Sequence, residues 1–353
     1  MIAKIKVNMA GPYHLKKNIP CQDAFYIRET PENVVVGAVA DGLGSELNSD
    51  IGAKVQSNVA VRECCNNYKK GMNPDEVVSM MKRAFTKAYK EVVKVASKDG
   101  NDVDQYDATL CLVIYDGEKL YYGQSGDSGL VVALSDGTYC KVTEQQRDED
   151  GNVYPLCFGP EYWDFGFVEG KVTAAMLMTD GVWDQICPPV LRYEEQPINV
   201  ALAEMFMNHY GMSISETRQL ERDAVAFLRE YPTKLLDDDK TVVVLINSEA
   251  EPQRMPEDYY KAPDWNRVNN KINERLYEKS DVQEETNSVI EAKNNEPKND
   301  VIIGIPIDLR KVRKTAQEMM GSFGEIMGVS PAKEEPKVDK KKDIKGIRID
   351  IKV

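Results

Sequence analysis

The sequence predicts an α+β protein in which antiparallel sheets carry helices on their outer sides. Three observations lead there: apolar β-type runs follow one another without a regular strand–helix alternation, long helical stretches interrupt them in pairs, and an Asp-Gly turn joins two of the runs as a hairpin. Ile5, Val7 and Met9 alternate with polar residues, and residues 34–40 form a continuous apolar run suited to a buried strand. Helical patterning covers residues 50–68 and 75–98, the second stretch opening with acidic residues behind Pro74. Residues 109–115 and 119–123 read as strands around Asp116-Gly117, because such a pair supplies the positive φ angles of a tight turn. Further strands fit residues 130–134, 174–178 and 241–246, with helices at 199–209 and 215–230 between the last two. Residues 145–170 hold Gly, Pro and aromatics without a period and read as a surface flap.

The chain has 353 residues, 42% hydrophobic and 29% charged, the balance of a folded globular protein. No window holds the ~18–20 consecutive apolar residues of a membrane span, and residues 1–14 lack a signal peptide's apolar run, so a cytoplasmic protein is expected. Seven cysteines, all before residue 190 and without finger spacing, argue against a disulfide framework or structural zinc. A net charge of -13 argues against nucleic acid, whose phosphates call for a basic face. Nearly all of that charge belongs to residues 1–248, with 25 Lys+Arg against 37 Asp+Glu; residues 249–353 have 20 against 21. Solubility explains such acidity, and so does a set of carboxylates converging on divalent metal.

Three parts are expected: a catalytic domain over residues 1–248, a charged Asn-rich linker over 249–300, and an interaction segment over 301–353. In the last, Leu309, Val312, Ala316, Met319, Met320, Phe323 and Met327 recur at helical steps, and Ile347, Ile349, Ile351 and Val353 alternate as in a strand with one apolar face. A protein partner for this segment is expected.

The chemistry gathers at acidic residues beside strand ends and glycines: Gln22-Asp23, Asp41-Gly42-Leu43-Gly44-Ser45, Gly126-Asp127-Ser128, Asp180-Gly181-Val182-Trp183-Asp184 and Asp238-Asp239-Lys240-Thr241. Singly, each is first a turn signal. Together, with only two histidines in the chain to offer another chemistry, they point to carboxylates on one rim of a sheet holding hard divalent ions for reaction at a phosphate.

In order and context these segments resemble the successive motifs of the metal-dependent protein phosphatases, the type 2C serine/threonine phosphatases, and more the bacterial branch than the eukaryotic one. The resemblance spans roughly residues 5–248. It implies a central antiparallel β-sandwich flanked by helix pairs, and two or three Mn²⁺ or Mg²⁺ ions. It further implies Asp41 as the bridge between two ions, with the Gly42 carbonyl beside it and Asp180 and Asp238 completing the first site. Asp23 would reach the second ion through water, while Asp127, Asp184 and Asp180 would form a third, weaker site. The implied reaction is hydrolysis of phosphoserine or phosphothreonine in proteins by a water bridging two ions, with Asp41, Asp180 and Asp238 as the catalytic carboxylates and no covalent phosphoenzyme. The implied partners are phosphoproteins made by a serine/threonine kinase, with neither nucleic acid nor membrane involved.

Two positions depart from the family's pattern. An arginine that grips substrate phosphate is replaced by Asn18, flanked by Lys16 and Lys17, and a histidine two residues after the bridging aspartate is replaced by Leu43. Lys17 and His14 are therefore the expected groups on the phosphate side; Lys17 supplies charge without the guanidinium's planar fork. His209 lies in a helical pattern and reads as structural. These departures keep open a catalytically weak sensor or scaffold that binds phosphoproteins, and, as a third reading, a hydrolase of small phosphate esters. Retention of every matching carboxylate favours the enzyme, since crowded like charges repel unless they serve a cation.

Overall fold

The computed structural model describes residues 1–231 and 237–271. Residues Met1–Pro263 form one compact unit. Its strands are β1 (Ile2–Met9), β2 (Ala24–Glu29), β3 (Val35–Ala40), β4 (Leu110–Tyr115), β5 (Leu120–Ser125), β6 (Gly129–Leu134), β7 (Tyr139–Lys141), β8 (Asp164–Phe167), β9 (Val172–Met178) and β10 (Lys240–Asn247). Its α-helices are α1 (Pro12–Lys17), α2 (Ser49–Asn67), α3 (Pro74–Asp99), α4 (Asp180–Ile186), α5 (Val200–Met207) and α6 (Ile214–Glu230).

The strands make two five-stranded sheets, in the orders β1-β10-β9-β6-β7 and β2-β3-β4-β5-β8. Every neighbouring pair is antiparallel. The central strands read as unbroken apolar runs because they are buried on both faces. From β3, Val35 and Val39 enter the core between the sheets with Val113, Leu130, Leu177, Val243 and Leu245. Val36, Ala38 and Ala40 turn the other way, to Ala60, Val61, Met81 and Phe85 of the α2–α3 pair. Across the sandwich, Val242, Val244 and Ile246 of β10 meet Ala203, Phe206 and Leu228 on the α5–α6 side. This is an α+β β-sandwich with helices outside, as the sequence predicts.

Helix starts follow local chemistry. Asn73 and Ser213 each form a capping box, with Glu76 and Glu216 respectively, satisfying backbone N–H groups that the first turn leaves without partners. Helix α2 lies very close to its neighbours: a Cβ on Gly52 would stand 1.8 Å from the Tyr106 carbonyl oxygen.

Two local expectations change. The β4–β5 hairpin closes through four residues, 116–119, since Tyr115 pairs with Leu120. Asp116 accepts there from the N–H groups of Glu118 and Lys119, and only Gly117 takes a positive φ, of 101°. The segment 145–170 also holds regular structure, because its end, β8, pairs with β5 and extends a sheet. Phe165 of β8 stacks edge-on against Phe85 of α3 with centroids 4.9 Å apart, which anchors that edge.

Past β10 the chain runs back along the sandwich, where Gln253 donates to the Ser135 carbonyl and Tyr139 N–H donates to the Tyr259 hydroxyl. Among the described residues no helix is long and apolar enough to cross a membrane. The linker beyond residue 271 and the segment 301–353, with its expected helix and strand, lie outside the described residues.

Candidate metal centre

The acidic motifs sit at strand ends or in inter-strand turns, and the sandwich brings them together. Asp41 follows β3 and is clamped through its backbone: its N–H donates to Thr109 Oγ1 at 3.0 Å, and its carbonyl accepts from Thr109 N–H at 2.8 Å. Gly42 N–H donates to the Gln22 carbonyl, and a Cβ at Gly42 would lie 2.8 Å from that oxygen and from Ser49. Only glycine lets these segments approach so closely. Gln22 braces the same corner, its amide donating to Ser49 Oγ at 2.8 Å and to the Glu46 carbonyl at 3.1 Å.

Asp127 sits in the turn that carries the chain from one sheet (β5) to the other (β6), with Gly126 at φ 96°. The buried Gln124 amide holds that turn by donating to the carbonyls of Gly126, Ser128 and Glu144. Asp180 opens α4 and Asp184 lies one turn later on the same face. Asp238 and Asp239 precede β10; a Cβ on Gly181 would stand 2.0 Å from the Asp239 carbonyl oxygen, so α4 starts in contact with this segment.

One carboxylate oxygen from each of Asp41, Asp127 and Asp180 lies within 4.8 Å of the others. Oxygen ligands of a hard divalent ion stand ~2.0–2.6 Å from it, so these three fit around a common cation. Asp23, Asp238 and Asp184 complete the acidic set electrostatically. Burial, then the charges of Asp23, Asp180, Asp127 and Asp238, raise the Asp41 carboxyl well above the usual carboxylate range. Asp23, 2% exposed, is likewise raised by burial, although Thr179 Oγ1 donates to its Oδ2 at 2.7 Å. Burial and Asp180 push Asp127 to about 7 and Asp184 to about 6, against the opposing pull of Arg147. Asp238 is raised by burial and Asp180. Carboxyls held this high without a cation are a frustrated arrangement that divalent charge relieves. The residues present therefore fit a hard divalent cation, with Asp41, Asp127 and Asp180 offering oxygens close enough to share it.

The phosphate-side expectations meet a different setting. His14 is buried on α1, its Nδ1 2.8 Å from Asp239 Oδ1, at ion-pair distance but off the direction of a hydrogen bond. Lys16 and Lys17 are exposed on the last turn of the same helix. Asn18 ends that helix in the left-handed region at φ 55°, a conformation asparagine tolerates better than most residues. Leu43 donates its N–H to the Asp107 carbonyl at 3.0 Å. The imidazole Nε2 of His209 lies 2.7 Å from the Met205 carbonyl, which fits its structural reading.

Four contributors were not assigned from sequence. Asp239, inside a quoted motif, accepts from Gly11 N–H at 2.7 Å and Gln22 N–H at 2.6 Å, tying its motif to the one at Gln22 and to the start of α1. Thr179, directly before Asp180, orients Asp23 while its Oγ1 accepts from Thr241 N–H. Arg147 Nη2 lies 2.5 Å from Asp127 Oδ2 and 3.1 Å from Asp180 Oδ2, and Gln145 donates to Asp184 Oδ1 at 3.2 Å. For Asp239 and Thr179 the signal was their place in acidic motifs; for Gln145 and Arg147 no local pattern existed.

The sequence profile of the family described as protein phosphatase 2C matches residues 10–227, more than half of the chain. Among solved structures, a bacterial serine phosphatase is 11% identical, with 72% of this chain and 100% of that one covered at a TM-score of 0.50. The serine/threonine phosphatase Stp1 of Staphylococcus aureus is 11% identical, with coverages of 70% and 95% and a TM-score of 0.49. A serine/threonine phosphatase of S. agalactiae is 14% identical, with coverages of 70% and 99% and a TM-score of 0.44. No curated protein sequence matches significantly. With the profile match running from just before α1 to within α6, the chain belongs to the protein phosphatase 2C family.

Proposed function

We propose that the chain is a metal-dependent serine/threonine protein phosphatase acting on phosphoserine and phosphothreonine in proteins, the products of a serine/threonine kinase. Family membership supports protein phosphatase function. The observation that carries the reading is the convergence of Asp41, Asp127 and Asp180 from three separate elements within 4.8 Å. Asp41, Asp180 and Asp238 are assigned the catalytic role and, with Asp23, Asp127, Asp184 and the Gly42 carbonyl, the holding of Mn²⁺ or Mg²⁺. Bound there, the ions would supply Lewis acidity toward water and phosphate.

The chain's own residues do the positioning. Thr179 fixes the Asp23 carboxylate, and Thr109 and Gly42 fix the backbone around Asp41. Lys17, exposed on α1, is assigned to capture of the substrate phosphate, with His14 behind it beside Asp239. A lysine there neutralises charge without bidentate geometry, so substrate capture should be weaker than with arginine.

The sensor or scaffold reading is favoured by two observations: Leu43 cannot donate a proton, and Asn18 presents no cation. The two readings separate in one assay of the purified full chain at saturating Mn²⁺, with a phosphothreonine peptide beside an aryl phosphate. Turnover of the peptide supports the phosphatase; binding of the peptide without phosphate release supports the scaffold. Turnover of the aryl phosphate alone would move the assignment to small esters.

A further inference from the structure

We infer that the guanidinium of Arg147 serves as a built-in cation at the outer edge of the acidic rim, in the place that a third metal ion would take. The inference rests on the reading of that rim as a metal centre. The three carboxylates concerned are Asp127, Asp180 and Asp184, and each is met by a donor from the same short segment. Arg147 Nη2 pairs with Asp127 at 2.5 Å and Asp180 at 3.1 Å, and Gln145 Nε2 donates to Asp184 at 3.2 Å.

The delivery is built into the backbone. Gln146, between the two, is tied at three points: its N–H donates to the Gly126 carbonyl, its side-chain oxygen accepts from Gly126 N–H at 2.8 Å, and its carbonyl accepts from Tyr154 N–H. In extended chain, successive side chains point to opposite sides. With Gln146 turned onto the loop that bears Asp127, Gln145 and Arg147 face the carboxylates. Arg147 then bridges to Val153 on the returning chain. The loop between them is closed by Asp148, whose carboxylate accepts from the N–H groups of Asp150 and Asn152 and from the Asn152 side-chain amide. A hairpin stapled in this way holds its arginine in place.

The chemistry suits the position. A guanidinium keeps its charge at any working pH and offers several N–H donors in one plane, so it can serve two carboxylates at once. It brings one positive charge where a divalent ion brings two. Its side chain is 34% exposed, which leaves it a way out toward solvent. A third ion must therefore displace Arg147 from Asp127 and Asp180, so the outer position fills last and weakly in the wild type, while Asp41 and Asp238 stay open to the inner ions.

The test counts metal rather than turnover. Equilibrium dialysis of the full chain against Mn²⁺, with bound metal read by atomic absorption, compares wild type with Arg147→Gln and Arg147→Lys. Arg147→Gln is expected to hold about one further Mn²⁺ per chain, and its melting temperature to rise more on adding Mn²⁺ than the wild type's. Arg147→Lys, which keeps the charge, should count as the wild type does. Adding Asp184→Asn to Arg147→Gln should abolish the gain. Equal, non-zero counts in wild type and Arg147→Gln would overturn the role of Arg147 while leaving the metal centre standing, as would a gain that survives Asp184→Asn. Absence of bound Mn²⁺ in every protein would remove the metal centre itself, and the inference with it.

Discussion

Asp127→Asn should stabilise the metal-free protein at neutral pH. Asp127 is 2% exposed, and burial together with the charge of Asp180 lifts its carboxyl from 3.8 to about 7 even though Arg147 pulls the other way. A folded-state pKa above the unfolded one means that the native state holds the proton more tightly, so stability falls as pH rises from about 4 to about 7. At ~1.36 kcal/mol per pH unit, keeping this carboxylate ionised in the fold costs on the order of 4 kcal/mol at pH 7, about 2 at pH 5 and less than about 1 at pH 4. Asparagine has no proton to lose, so its advantage should follow the same curve. In a domain of this size ~1 kcal/mol moves the melting temperature by roughly 2–4 °C, which sets a ceiling of roughly 8–16 °C at pH 7. Thermal melts of both proteins in a chelator at pH 4, 5 and 7 make the comparison; Asp41, which feels the Asp127 charge, is relieved as well in the variant, so the direction of the trend with pH is the readout. Saturating Mn²⁺ should raise the melting temperature of both proteins through the carboxylates they share. Equal melting temperatures at pH 7, or a gap that stays constant as pH falls, would refute the reasoning.

Other positions make separate demands. Gly52→Ala places a methyl group 1.8 Å from the Tyr106 carbonyl oxygen and should cost roughly 1–3 kcal/mol or more in denaturant unfolding; an unchanged midpoint would contradict the close approach of α2. Thr179→Val removes the donor to Asp23 and should weaken Mn²⁺ binding roughly 10–100-fold in a calorimetric titration, whereas unchanged affinity would show that Asp23 needs no such orientation. Lys17→Ala should raise KM for a phosphopeptide several-fold with kcat nearly unchanged, and unchanged kinetics in the Lys16, Lys17 double alanine variant would remove both lysines from substrate capture.

How far the sequence could be read depended on whether the relevant contacts were local. The strand β3 and the aspartate at its end were legible because a continuous apolar run closed by Asp41-Gly42 is a short-range signal, and α3 because Pro74 and its acidic first turn mark a start. Strand β8 was not, since its four residues are strand only by virtue of pairing with β5, some forty residues earlier in the chain. The β4–β5 hairpin was legible from Asp116-Gly117, but its loop is one residue longer because the Asp116 side chain accepts from the Glu118 and Lys119 N–H groups. Within the acidic rim, the aspartates announced themselves by glycines and strand ends. Arg147 did not, because its partners Asp127 and Asp180 lie 20 and 33 residues away in sequence and only the folded sandwich brings them together. Asn18 reads as the loss of an arginine in sequence and, in the structure, as the left-handed cap of a short helix, a physical reason for asparagine at that position.

Phosphate release from a phosphothreonine peptide, followed as Mn²⁺ is titrated into chelator-treated wild type and Asp41→Asn in parallel, bears most directly on metal-dependent hydrolysis at the acidic rim. The wild type should be inactive in chelator and rise to a plateau with Mn²⁺, while Asp41→Asn, folded by the same melting criteria, should stay lower by orders of magnitude at every concentration. Hydrolysis that proceeds in chelator, or that Asp41→Asn sustains at the wild-type rate in saturating Mn²⁺, would contradict it.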